Sequence, residues 1–229
     1  TPDVMAYVTY SEGFKSGGFI QRVFPPEPQV RSFDPEYVDA YEAGIKWTGL
    51  DQRLRINAAV FYMDYSDLQF VVQSDSVAPL VLNKTAAEIR GFELELLAMP
   101  VAGLSLELGV GYIDDKYTEI DEDVPESLNI TTSSQLVKTP EWSGTAALSY
   151  AFVLAGGGEL IPRVDVVSRS EYFNNAINSP QIEQPAYTAW DLGLTYKSAD
   201  QKWTLSAIGK NLSDELILSA GFSDTRFLG

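Results

Sequence analysis

Leu104-Ser105-Leu106-Glu107-Leu108-Gly109-Val110-Gly111-Tyr112 alternates without a break: every even position is apolar, and every odd position is Ser, Glu or Gly. A period of two is the mark of a β-strand with one face in an apolar medium and the other in a polar one. Trp190-Asp191-Leu192-Gly193-Leu194-Thr195-Tyr196-Lys197 repeats the pattern, as does Trp142-Ser143-Gly144-Thr145-Ala146-Ala147-Leu148-Ser149-Tyr150, and in both the apolar face begins and ends on an aromatic. Alternating stretches of this kind recur along the chain. Between them, turns of about four to six residues rich in Gly, Pro or Asp take their place alternately with polar segments of about fifteen to twenty-five residues. That rhythm predicts an all-β, antiparallel, up-and-down transmembrane β-barrel wall.

Nine strands are predicted: Val4 to Ser11, Tyr37 to Thr48, Arg53 to Tyr65, Arg90 to Ala98, Leu104 to Lys116, Trp142 to Phe152, Leu160 to Arg169, Tyr187 to Lys197 and Trp203 to Asn211. The short connections are residues 49–52, 99–103, 155–159 and 198–202, and the long ones are 12–36, 66–89, 117–141, 170–186 and 212 onward. Short and long alternate strictly, so all short turns fall at one end of the sheet and all long loops at the other. Outer-membrane barrels have this asymmetry, with periplasmic turns and extracellular loops. Nine strands do not close an even-numbered barrel, so the chain reads as a segment of one, with sheet edges at the Val4 and Trp203 strands.

Assigning faces separates an outward set, including Ile45, Trp47, Ile56, Val60, Phe92, Leu94, Leu96, Val164, Val166 and Leu205, from a lumen-facing set. The latter comprises Glu42, Arg55, Glu93, Glu95, Arg163, Asp165 and Arg169, with Lys46, Asn57 and Lys210 beside them. Aromatics fall in two groups. Trp47, Tyr150, Phe152, Tyr196 and Trp203 adjoin the short turns, and Tyr62, Tyr112, Trp142, Tyr187 and Trp190 lie toward the long loops, as two interfacial girdles would. Periodicity alone leaves open which face is inside, since a lipocalin-like barrel has an apolar interior and a soluble sandwich also caps its core with aromatics.

Composition narrows the function. Among 229 residues, 32 acidic against 16 basic side chains give a net charge of −16, a poor match for nucleic acid. The chain has no cysteine and no histidine, which removes disulfides, thiol chemistry, the Ser-His-Asp triad and the commonest metal ligand. No apolar run approaches the roughly 18 residues of a spanning helix. The start at Thr1-Pro2-Asp3, without an initiating Met or a signal peptide, reads as a mature form or an excerpt. Neither an enzyme nor a cofactor nor a metal centre is expected. The Glu93/Glu95 pair reads as solvated carboxylates rather than an acid–base pair. The acidic stretch from Glu119 to Glu126 lacks the ligand spacing of a Ca²⁺ loop. Gly13, Gly17 and Gly18 are expected to supply left-handed backbone in a loop.

Tyr7-Val8-Thr9-Tyr10-Ser11-Glu12-Gly13-Phe14-Lys15-Ser16-Gly17-Gly18-Phe19 resembles a stretch that recurs in the barrels of TonB-dependent outer-membrane receptors. Further resemblances follow in family order: Pro35-Glu36 to Tyr41-Glu42-Ala43-Gly44-Ile45-Lys46, Asn57 to Tyr65, Asn83-Lys84-Thr85-Ala86 with Gly91-Phe92-Glu93-Leu94-Glu95, Thr139-Pro140-Glu141-Trp142, and Gly209-Lys210-Asn211-Leu212-Ser213-Asp214-Glu215. The resemblance implies that residues 1–229 are the C-terminal portion of a barrel of about twenty-two strands. It implies that the plug domain and last strand are missing from the chain, and that TonB would be met only through that plug. Implied partners are outer-membrane lipid and a scarce solute, foremost a ferric siderophore, bound by the long loops. Phe14, Lys15, Arg22, Arg31 and Tyr172 are the implied ligand contacts, because aromatics and cations suit an aryl or carboxylate-bearing chelate. A passive porin-like channel and a soluble carbohydrate-binding β-sandwich are the alternatives.

Overall fold

A computed structural model describes residues 3–20, 32–73, 79–83, 85–120, 122, 124, 126 and 129–220. Nine strands, with the two-residue piece Phe152–Val153 attached to the seventh, form one antiparallel sheet: β1 (Val4–Lys15), β2 (Glu36–Gly49), β3 (Leu54–Ser66), β4 (Thr85–Ala98), β5 (Leu104–Ile120), β6 (Trp142–Tyr150), β7 (Glu159–Arg169), β8 (Tyr187–Lys197) and β9 (Thr204–Gly209). Their order in the sheet is their order in the chain, so every neighbour is a sequence neighbour. Among the described residues the sheet stays open, with β1 and β9 at its edges.

Register turns the sequence alternation into two continuous faces. Val4, Trp47, Ile56, Leu96, Leu108, Ala146, Val166 and Trp190 are partnered strand by strand in one row that crosses eight strands. One residue along, Lys46, Asn57, Glu95, Gly109 and Thr145 form the corresponding row on the other side. Among the described residues nothing covers the apolar face: Val8 is 85% exposed, Leu205 67% and Val60 57%. A sandwich would bury these side chains under a second sheet. The buried apolar residues lie elsewhere, at the loop end, where Ala87 of β4 and Tyr117 of β5 cluster with Phe70, Val124, Ile130, Leu136 and Ala176 of the long loops, with Leu68, Leu82 and Ile177 packed around them.

Above the apolar band the same face carries the aromatic rings. Tyr10, Tyr41 and Tyr62 run across β1 to β3 with centroids 5.0 and 6.3 Å apart, and Phe92, Tyr112 and Trp142 continue across β4 to β6 at 4.8 to 5.9 Å. Trp190 shares the face of this belt, but Tyr187 does not. It pairs with Arg169 and so sits on the polar face, because β8 places its odd-numbered residues there.

Several strands outrun their predicted ends. β1 continues to Lys15, β4 begins at Thr85 and β5 reaches Ile120. The apolar alternation stops at the aromatic belt, yet main-chain pairing continues through polar partners such as Glu12 with Asp39 and Glu88 with Lys116. The predicted strand from Trp142 to Phe152 is broken at Ala151, leaving Phe152–Val153 as a separate piece on Leu160 and Glu159. Pro162, facing Tyr150 just before the break, has no N–H to give the ladder. β9 is shorter than predicted. Asn211 and Asp214 adopt φ of 48° and 56°, the Asp214 N–H closes a turn on the Asn211 carbonyl at 3.0 Å, and the Asn211 side chain accepts the Glu215 N–H at 3.0 Å, which ends the strand.

The expectation of left-handed glycines near Gly13 is not met: among the described residues only Gly103 and Gly157 are glycines with positive φ. Gly13 lies inside β1, and what Gly17 provides is a close approach, since a Cβ there would stand 2.4 Å from the Phe33 carbonyl oxygen.

Candidate functional site

All seven residues expected to face a lumen lie on the polar face. Arg163 ties β7 to β5: its Nη1 donates to Glu107 Oε1 at 2.8 Å across β6, and its Nη2 meets Asp165 Oδ1 of its own strand at 2.7 Å. The bridge is possible because the intervening strand places the short side chains of Ala147 and Ser149 between the two partners. Glu95 accepts from Asn57 Nδ2 at 3.0 Å, and Glu42 accepts from the Tyr7 hydroxyl, whose ring lies over Gly44 on the neighbouring strand. A concavity of about 480 Å³ opens on this face between Arg55, Asn57, Glu95, Glu107, Arg163 and Asp165, floored by Gly109, Thr145 and Ala147. Arg55, Glu93 and Arg169 have no ion-pair partner among the described residues. No cluster of three metal-binding side chains occurs among the described residues.

The long loops are bolted to one another over the loop end of the sheet. Gln69 donates from its side chain to Asp34 O at 2.9 Å and to Ser16 O at 3.2 Å, and its own N–H goes to Glu36, joining the loop after β3 to the one after β1. Asn178 and Gln135 exchange side-chain–backbone bonds of 2.8 and 3.0 Å between the loops after β7 and β5. Asp115 on the polar face accepts the Leu136 N–H at 2.7 Å, pinning that loop to the wall. Gln184, 1% exposed, accepts the Leu218 N–H at 2.7 Å and donates to Pro185 O and Leu216 O. Gln184→Ala should strand these buried groups, at a cost of about 1–3 kcal/mol. The expected readout is faster protease nicking near Leu216 on intact cells; an unchanged nicking rate would mean the loops do not depend on this amide.

These amides were not legible as site residues, since single Gln and Asn residues in polar loops carry no periodicity. Tyr187 could have been placed correctly, because it shares the odd parity of Asp191. The implied ligand contacts are dispersed. Phe14 is 75% exposed on the apolar face, paired with Tyr37, while Lys15 lies on the polar face 3.9 Å from Glu36. Tyr172 is half-buried in a two-residue ribbon, Tyr172–Phe173 with Glu183–Gln184, which follows β7, six strands from β1. Arg22 and Arg31 lie outside the described residues.

The family described as TonB dependent receptor-like, beta-barrel, matches residues 1–212. The chain belongs to the TonB-dependent receptor family. Proteins of this family are outer-membrane β-barrel transport receptors, which accounts for a one-layer sheet with an unpacked apolar face. This TonB-dependent receptor chain is 31% identical over 218 residues to the metal-pseudopaline receptor CntO of Pseudomonas aeruginosa, covering 93% of itself and 28% of that protein. Its fold matches the crystal structure of the ferric yersiniabactin uptake receptor FyuA from Yersinia pestis with a TM-score of 0.75 at 21% identity, covering 94% of this chain and 30% of that one. The siderophore receptor PiuA of Acinetobacter baumannii gives 0.71 at 22% identity, with 94% and 30% coverage. The chain therefore spans between a quarter and a third of the length of these relatives.

Proposed function

We propose that residues 1–229 form the C-terminal part of the barrel of an active-transport receptor that takes up a ferric siderophore or a similar metal chelate. In this reading the apolar face meets outer-membrane lipid, the loops are extracellular, and Glu42, Arg55, Glu93, Glu95, Arg163, Asp165 and Arg169 line the lumen. The observation that carries it is the loop cap: the loops after β3, β5 and β7 share a buried cluster, and side-chain bolts join them to the segments after β1 and β9 at one end of the polar face, so a binding surface is held in shape before a solute arrives. The names of the relatives support a chelate as the solute. A plug elsewhere in the whole protein would close the lumen and contact TonB, and its energised rearrangement would release the bound chelate inward past the polar face.

Uptake of ⁵⁵Fe-labelled chelates by cells carrying the full-length gene tests this. Saturable uptake that a protonophore abolishes is expected. Uptake that is non-saturable and insensitive to the protonophore would assign the protein to passive channels instead.

A further inference from the structure

We propose that Arg169, Tyr172 and Tyr187 form a recognition subsite for an anionic oxygen group, carboxylate or phenolate, carried by the solute. The proposal rests on the reading of the chain as part of a chelate receptor. Arg169 ends β7 and Tyr187 begins β8, and the two are direct cross-strand partners on the polar face at its loop end. Tyr172 stands three residues beyond Arg169 and feels both: its phenol is held above the ordinary value by burial first and by Tyr187, with Arg169 opposing. A phenol so shifted stays protonated at neutral pH and offers a donor.

Two other arginines of the wall are used differently, while Arg55, like Arg169, has no ion-pair partner among the described residues. Arg90 forks onto Asp114 at 2.5 and 2.7 Å, and Arg163 holds Glu107 and Asp165. Arg169, half-buried, donates among the described residues only to the carbonyl of its own neighbour Ser168, at 3.4 Å. Neither the Tyr172 nor the Tyr187 hydroxyl has a hydrogen-bond partner there. A guanidinium carries five donors, and partial burial without an acceptor costs free energy that an anion would recover. Space is available beside it. The next polar-face residues in the row are Ser143 and Gly111, and the next long side chain is Glu93, three strands away or about 14 Å at ordinary strand spacing. An anionic chelate on that floor would be drawn to Arg169 and repelled by Glu93, which orients it. In a chain of net charge −16, a local cation is what such a solute requires.

The test is titration calorimetry on the detergent-solubilised full-length receptor with ferric citrate, the ferric complex of 2,3-dihydroxybenzoate, cationic ferrioxamine B and metal-free citrate. Arg169→Gln should weaken the two anionic chelates by about 10- to 100-fold and leave ferrioxamine B unchanged. Arg169→Lys, which keeps the charge and loses the fork, should fall between, and Tyr172→Phe or Tyr187→Phe should each weaken the anions about 3- to 10-fold. Wild-type affinity of Arg169→Gln for the anions, or an equal loss for ferrioxamine B, would overturn the subsite. Should the wild type bind ferrioxamine B alone, the subsite fails and the transport reading stands. Arg169-dependent binding of metal-free citrate without binding of any chelate would keep the subsite and remove the chelate reading. Binding of none of the four removes both.

Discussion

Leu108→Arg is expected to destabilise the folded wall by about 2–4 kcal/mol, the cost of a guanidinium near the middle of a bilayer. Leu108 sits on β5 midway along the apolar face, between Leu96 on β4 and Ala146 on β6, and is 42% exposed to whatever medium surrounds the sheet. If that medium were water, the substitution would be almost free, because an exposed surface position tolerates arginine within about 0.5 kcal/mol. Thr145→Arg is the control. Thr145 is on the next strand and on the opposite face, lining the polar concavity, where an added cation meets Glu95, Glu107 and water. Its expected cost is below about 1 kcal/mol. Folded fraction against urea in lipid vesicles, with both variants made in the full-length protein, gives the comparison. Equal costs for the two variants would overturn the assignment of the apolar face to lipid.

That contrast rests on information the sequence carried plainly. Alternation is a local property, and Leu106, Leu108 and Val110 reveal their common face whatever the neighbouring strands do. Strand order was equally accessible, because short turns permit only antiparallel sequence neighbours. What escaped was anything set by pairing beyond the apolar band. The belt of Glu12, Asp39, Asp64, Glu88 and Lys116 is one continuous row in register, yet Glu12 and Glu88 look like loop and the other three like residues near the ends of strands. Pro162 hid for a different reason. It fits the apolar face, and its missing N–H matters only through its partner strand. The lumen-facing set was readable as one face, whereas its ion pairs were not, because Glu107 and Arg163 lie 56 residues apart and meet across a strand of small side chains. The loop cap was least legible, since Gln69, Gln135, Asn178 and Gln184 act through backbone groups that no side-chain pattern announces.

Gly91→Ala is expected to cost about 1–3 kcal/mol, at the upper end of that range, and Gly91→Val more. Gly91 lies on the polar face of β4 between Phe61 and Ile113. An added Cβ would stand 2.1 Å from the Tyr112 carbonyl oxygen and 2.8 Å from the Phe61 ring. The ring can turn away, but the carbonyl belongs to the β4–β5 ladder, so relief requires the two strands to part and the hydrogen bonds beside Gly91 to lengthen. In a bilayer no water replaces those bonds. Gly156→Ala, on the short turn before β7, provides the comparison, because nothing lies within 4 Å of a Cβ there. It should change the unfolding temperature, read by the shift between folded and unfolded bands on gels, by no more than the scatter of repeats. Phe61→Ala combined with Gly91→Ala separates the two obstacles. The double variant should remain as destabilised as the sum of the singles, since removing the ring leaves the backbone oxygen where it was. Recovery toward wild type in the double variant would show the ring to be the obstacle and the β4–β5 approach to be ordinary.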